Sequence, residues 1–243
     1  MIIKLVRHAQ SEANTGEVDP ARYPDSKIRL TNLGVKQALV SGKNIGANFL
    51  NEATLYRSPY YRTRETSIGL IVGAGLEAST KKWIEDISLR EIEVGYSSRD
   101  EQEALREKIG WFYYRFKQGE SPADVYERVS PFIDHLMEIK DKKIVIVTHG
   151  LTLRIMLMKL LNLTVEEYEY LKNPENASVT TIYTAESLDI YEREKEAGQT
   201  LPLLSVNKYN GSVACSEMGK YDKEPFDYEK SFADRAEIIK KLS

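Results

Sequence analysis

Two short β-branched runs, each ending at a histidine, constrain this chain more than any other feature. The first is Ile2-Ile3-Lys4-Leu5-Val6, followed directly by Arg7-His8-Ala9-Gln10-Ser11-Glu12-Ala13-Asn14. The second is Ile144-Val145-Ile146-Val147, followed by Thr148-His149-Gly150. Apolar runs of this length, each leading into a helical pattern, read as buried parallel strands. In open α/β sheets, ligands bind in the crevice beyond the carboxyl ends of such strands. The chain has only three histidines, and two of them stand at these strand ends, one beside an arginine. That placement suggests phosphoryl chemistry.

The rest of the chain alternates strands and helices. Strands are expected over 2–6, 53–57, 82–84, 143–148 and 178–183. Helices are expected from Thr31 as N-cap to about Leu50, over 62–72, from Ser121 to about Lys140, and over 151–161, with a short one capped by Thr164. Ser121-Pro122-Ala123-Asp124 has the cap, the first-turn proline and the acid three residues on that open a helix. Alternation of this kind predicts an α/β fold: a single three-layer domain, with a mostly parallel central sheet and helices on both faces. Residues 1–184 form the expected catalytic domain. Residues 95–120, with the aromatic knot Trp111-Phe112-Tyr113-Tyr114, read as a helical insertion over the site. Residues 185–243 read as a polar extension packed on or near the same domain, closed by a helix at 229–242.

Composition narrows the function. The 243 residues carry 34 basic and 37 acidic side chains, a net charge of -3. No strongly basic patch stands out, so nucleic acid and anionic membrane are poor partners. The lone cysteine, Cys215, has no internal partner, which fits a reducing compartment. No basic leader with an apolar stretch and no bilayer-length apolar run is present, so a cytoplasmic location is expected. Gly73 and Gly75 lack the strand and spacing of a dinucleotide loop. His135 falls inside the helix after Ser121 and reads as structural. The aromatic knot reads as packing, because no basic groove accompanies it.

The residue types assemble a reaction. Transfer from a phosphate monoester needs neutralised non-bridging oxygens, a nucleophile and an acid for the leaving oxygen. An unprotonated imidazole, held on its other nitrogen, can attack phosphorus and form a phosphohistidine. His8 fits that role. Arg7 and Arg62 offer planar forks for phosphate oxygens. Ser11, Asn14 and the backbone N–H groups after the strand offer neutral donors. His149, if protonated, would stabilise charge on the equatorial oxygens. A carboxylic acid such as Glu91 would protonate the leaving alkoxide, with Glu85, Asp86, Glu93 and Asp100 close by in sequence as competitors. The scheme needs no metal and no cofactor, and the sequence has no obvious metal-ligand cluster.

Several segments, in order, resemble the histidine phosphatase superfamily in its phosphoglycerate-mutase-like branch. They are Arg7-His8 with Ser11 and Asn14; Leu30-Thr31 with Gly34 and Gln37-Ala38; Ser58-Pro59 through Thr66; and Leu89-Arg90-Glu91 with Gly95. Gly119-Glu120-Ser121 with Asp124-Val125 and Arg128-Val129, and then Val147 to Gly150, complete the set. The resemblance spans residues 3 to about 183. It implies His8 as phosphorylated nucleophile, Arg7, Arg62 and His149 as the phosphate pocket, and Glu91 as proton donor. Ser11, Asn14, Gly150 and Arg115 are the expected substrate-binding residues. Two positions depart from the family. Ala9 replaces a usual glycine, and Val94 stands where cofactor-dependent mutases carry a tyrosine.

The expected activity is therefore that of a metal-independent phosphomonoesterase acting on a small-molecule phosphate ester. A cofactor-dependent phosphoglycerate mutase is the alternative, and a non-catalytic binding protein of the same fold is a third reading. Residues 15–28 and 95–120, which should select the substrate, carry no readable code, and no signal marks an oligomeric state.

Overall fold

A computed structural model describes residues 1–20, 22–95, 99–197, 203–206 and 212–215. The expected closing helix at 229–242 lies outside the described residues. Strand β1 (Ile2–Arg7) leads into a one-turn helix α1 (Glu12–Thr15), then α2 (Asn32–Ile45) and α3 (Ala47–Glu52). Thr31 caps α2 by accepting from the Gly34 N–H. The helix expected through residue 50 is broken at Gly46, whose φ of 83° lies in the region glycine tolerates. Then follow β2 (Thr54–Arg57), α4 (Tyr61–Gly73), a two-residue β3 (Ile84–Glu85), α5 (Arg99–Ile109) and α6 (Pro122–Glu138). Next come β4 (Lys143–Thr148), α7 (Gly150–Leu161), α8 (Val165–Tyr170), β5 (Val179–Thr184), α9 (Leu188–Glu196), β6 (Leu203–Val206) and β7 (Ser212–Cys215).

The strands form one sheet in the order β3-β2-β4-β1-β5-β7-β6. The segment β3-β2-β4-β1 is parallel, and β5, β7 and β6 add antiparallel strands at its other side. Pairing of β1 with β4 sets Val6 opposite Val147 and Arg7 opposite Thr148. Both strands are therefore brought to the same edge in register.

Strand alternation divides the core in two. Ile3, Leu5, Ile144 and Ile146 face α6, α7 and the insertion, together with Phe132, Ile133, Leu153 and Leu157. Val6, Leu55, Val145 and Val147 face the opposite side, with Ile45, Leu50, Leu70 and Ile71 of α2, α3 and α4. A sheet covered on both faces explains why β4 is an unbroken apolar run. In the aromatic knot, Phe112 joins the first core beside Tyr168 at 5.5 Å, and Tyr114 and Phe116 are buried with it. The knot is packing.

Of the residues after 184, the described strands join the same sheet. Strand β7 pairs antiparallel with β5, Thr181 opposite Cys215, and β6 pairs with β7. Two four-residue strands inside a polar stretch give too little alternation to be read from sequence.

Candidate active site

The site begins at three neighbouring strand ends. The His8 N–H donates to the Thr148 carbonyl at 2.8 Å, and the Ser58 N–H to the Val147 carbonyl at 3.0 Å. These ladder bonds carry β1, β4 and β2 one residue further and bring His8, His149 and Ser58 together. The His8 and His149 rings meet edge to face with centroids 5.2 Å apart. His8 Nδ1 lies 2.8 Å from the Ala9 carbonyl, so this nitrogen carries the proton and donates it. Its Nε2 is left as the basic nitrogen. His149 is fully buried and shares a 2.8 Å hydrogen bond between Nε2 and Ser58 Oγ, while its Nδ1 has no hydrogen-bond partner. The Tyr60 ring stands edge-on to His149 at 5.1 Å.

Burial sets the charges. Both imidazoles are held well below the usual value of 6.5, first by loss of solvent and then by the Arg62 guanidinium, with Arg7 adding to it. Both shifts favour the neutral ring, against the protonated His149 considered from sequence. Glu91 moves the other way: burial raises its carboxyl above 4.5, although the Ile92 N–H and the Arg62 and Arg7 charges hold it back. Its Oε1 accepts from the Ile92 N–H at 3.0 Å and lies 3.3 Å from Thr152 Oγ1.

The segment bearing Glu91 is fastened to the strand-end floor. Thr148 Oγ1 donates to the Leu89 carbonyl and Thr152 Oγ1 to the Arg90 carbonyl, both at 2.7 Å. Arg128 donates to Glu120 through Nε at 2.9 Å and to the Arg90 carbonyl through Nη1 at 3.2 Å. Three of the competing acids are placed apart from this segment's anchors. Glu85 pairs with Arg57 and Arg64, Asp86 caps the turn over 87–89, and Glu93 is exposed.

The two arginines enter from different elements. Arg7 ends β1 and donates through Nη1 to the Pro174 carbonyl at 2.6 Å. Gly150 makes room for it, since a Cβ there would stand 3.2 Å from both Arg7 Nε and the Asn173 side chain. Gly150 thus acts by clearance at the start of α7. Arg62, in the first turn of α4, is 4% exposed and grips Asp25 in a two-pronged ion pair.

The expected substrate-binding residues divide. Ser11 is fully buried, and its N–H and Oγ both donate to Asn14 Oδ1 at 3.0 Å. Asn14 is exposed and also accepts from Asn176 Nδ2 at 3.1 Å, which donates to the His8 carbonyl as well. The pair shapes the loop after β1. Arg115 is 67% exposed and pairs with Asp124. His135 is exposed on α6. Ala9, the departure from family glycine, is fully buried and its N–H donates to Thr66 Oγ1 at 3.0 Å.

The sequence marked Ser58 only as part of the resemblance and Asp25 only within the selecting segment 15–28, and it did not mark Thr152 or Asn176. Ser58 and Thr152 had a signal: one follows β2 as His8 follows β1, and the other lies on the first turn of α7, three residues after His149. Asn176 and Asp25 had none, because each reaches the site across a loop.

A buried histidine pair, two arginines and a glutamate stand around the carboxyl edge of the parallel strands. The match to the histidine phosphatase superfamily (branch 1) covers residues 3–192, and the chain belongs to that family. It is 34% identical over 223 residues to the phosphoglycerate mutase-like protein AT74 of Arabidopsis thaliana, covering 80% of this chain and 69% of that one. A shorter match, 38% identical over 94 residues, links it to the broad-range acid phosphatase DET1 of Saccharomyces cerevisiae, covering 35% of this chain and 28% of that one. The solved structure of a mycobacterial glucosyl-3-phosphoglycerate phosphatase has the same fold, with a TM-score of 0.61 and 22% identity over 76% of this chain and 94% of that one. Among the described residues, no helix is long and apolar enough to cross a membrane.

Proposed function

We propose that the protein hydrolyses a small phosphate monoester through a phosphohistidine on His8. Arg7 and Arg62 hold the phosphoryl oxygens. Neutral His8 attacks phosphorus through Nε2, the ester P–O bond breaks, and Glu91 delivers its proton to the leaving oxygen. The Glu91 carboxylate then takes a proton from water as that water attacks the phosphohistidine. Inorganic phosphate leaves, and His8 and protonated Glu91 are restored. With the Ser58 hydroxyl as donor to His149 Nε2, Nδ1 carries the proton and is the N–H donor toward an equatorial phosphoryl oxygen as charge spreads there. No step runs through a metal.

What supports this reading most is the His8 ring itself: Nδ1 tied to the Ala9 carbonyl at 2.8 Å, Nε2 basic, and two arginines close enough to depress its proton affinity. The name of the AT74 relative favours testing mutase chemistry in parallel. The experiment is release of phosphate from p-nitrophenyl phosphate with chelator present, wild type beside His8→Ala. Release that persists under chelator and vanishes in His8→Ala is the expected outcome. No release from folded wild type, together with interconversion of phosphoglycerates in the presence of a bisphosphate activator, would replace hydrolase with mutase. Activity lost to chelator would overturn the metal-free scheme.

A further inference from the structure

Arg62 is almost fully buried, and its partner is a carboxylate. Its Nη1 donates to the Asp25 carbonyl at 2.7 Å and to Oδ1 at 2.8 Å, and Nη2 donates to Oδ2 at 3.0 Å. A guanidinium has five N–H donors, so one residue takes most of the fork. The two-pronged arrangement is also how a guanidinium grips a phosphoryl group.

Asp25 is well placed to leave. It opens a single turn over Asp25–Lys27, and Pro24, Ser26 and Lys27 around it are exposed. Just after it Ile28 is fully buried, and Glu65 accepts from Arg29 Nε at 2.7 Å and from the Leu30 N–H at 2.8 Å. The Asp25 side chain is 25% exposed against 4% for Arg62, so the carboxylate sits at the mouth with the guanidinium behind it. The Arg62 guanidinium stands over the Tyr60 ring at 5.1 Å and that ring lies 5.1 Å from His149, which puts this fork beside the histidine pair.

We infer that Asp25 is a specificity-determining residue: its carboxylate occupies the Arg62 fork as an internal competitor and lowers affinity for anions that offer only a phosphoryl group, the inorganic phosphate product included. The inference rests on the phosphatase reading of this pocket. A phosphate that enters must displace the carboxylate, because both use the same donors. An ester whose leaving group presents a hydroxyl or ammonium to the displaced carboxylate recovers part of that pairing, and free phosphate recovers none. Selectivity for the leaving group and easy product release then follow from one contact.

The test is calorimetric titration of inorganic phosphate into wild type, Asp25→Asn, Asp25→Ala, Asp19→Asn and Arg62→Ala at constant ionic strength. Circular dichroism confirms that each is folded. Phosphate should bind about tenfold more tightly to Asp25→Ala than to wild type, the scale of one charge-assisted pairing. Asp25→Asn should fall between them, because its amide oxygen still accepts. Asp19→Asn, the same charge change on the same segment, should stay within about twofold of wild type. Equal affinities for wild type and both Asp25 variants would overturn the inference while leaving the pocket intact. Equal gains in Asp25→Asn and Asp19→Asn would also overturn it, by reducing the effect to long-range charge. Phosphate that binds Arg62→Ala as well as wild type would instead overturn the pocket reading, and the inference with it.

Discussion

The floor of the site and its rim are held in different ways. At the floor, His8, His149 and Ser58 continue directly from β1, β4 and β2, and ladder hydrogen bonds from His8 and Ser58 fix the strand ends. Each is almost fully out of solvent. At the rim, Asp25 and Arg115 sit on connecting segments and are held by ion pairs, Asp25 by a two-pronged pair to buried Arg62 and Arg115 by an exposed pair to Asp124. A residue placed by a sheet is preorganised for transition-state charge, and a residue placed by an ion pair can exchange that partner for another charged group. Chemistry should therefore reside in the floor and selection in the rim.

The largest effect should come from the floor. His8→Ala should lower turnover of p-nitrophenyl phosphate by about five orders of magnitude or more, because uncatalysed monoester hydrolysis is among the slowest reactions known. Steady-state rates read this directly, and residual activity of even a few per cent would break the comparison. Next, Glu91→Gln should slow alkyl phosphates by about a hundredfold to a thousandfold and activated aryl phosphates far less. Equal losses on the two classes would move the acid elsewhere.

The pH dependence sharpens the same contrast. His8 is held well below 6.5, so it stays neutral and nucleophilic on mild acidification. Glu91 lies above 4.5, so the kcat/KM of an alkyl phosphate should fall as pH rises through that raised value and the acid loses its proton. A profile that instead falls as pH drops through 6.5 would give His8 ordinary basicity. Stability runs in the opposite sense. Folded His8 and His149 stay neutral while their unfolded counterparts take up protons below about 6.5, so stability is full above that value and declines beneath it. Each contributes up to about 1.4 kcal/mol per pH unit. His149→Gln should flatten the loss of Tm on acidification, and an unchanged slope would show that other groups dominate it. The smallest effect should come from the rim. Arg115→Ala should leave turnover within about twofold and stability within about 0.5 kcal/mol, since its one ion pair is exposed.

The same division decided what could be read from sequence. Ile144 to Val147 is apolar on both faces because helices cover both faces, and that run announces a buried parallel strand together with the histidine behind it. Ser121 announces α6 through local capping chemistry alone. These signals lie within a few residues of the feature they specify. The break at Gly46 was hidden because a single glycine inside a helical pattern has no unique meaning until its φ is known. Strands β6 and β7 were hidden because four residues carry little periodicity. Asp25 meets Arg62 across 37 positions, and Asn176 meets the His8 carbonyl across 168. Contacts of that range are set by topology, and no local pattern records them.

The central claim is that His8 carries the phosphoryl group, and one measurement reaches it most directly. Wild type is mixed rapidly with p-nitrophenyl phosphate, quenched in alkali to preserve a phosphoramidate, digested and mapped by mass spectrometry. The account predicts a phosphoryl group on the peptide containing His8, formed in a burst with p-nitrophenol, lost on acid treatment and absent from His8→Ala. A phosphoryl group on another side chain, or rapid turnover with no burst and no labelled peptide, would contradict it.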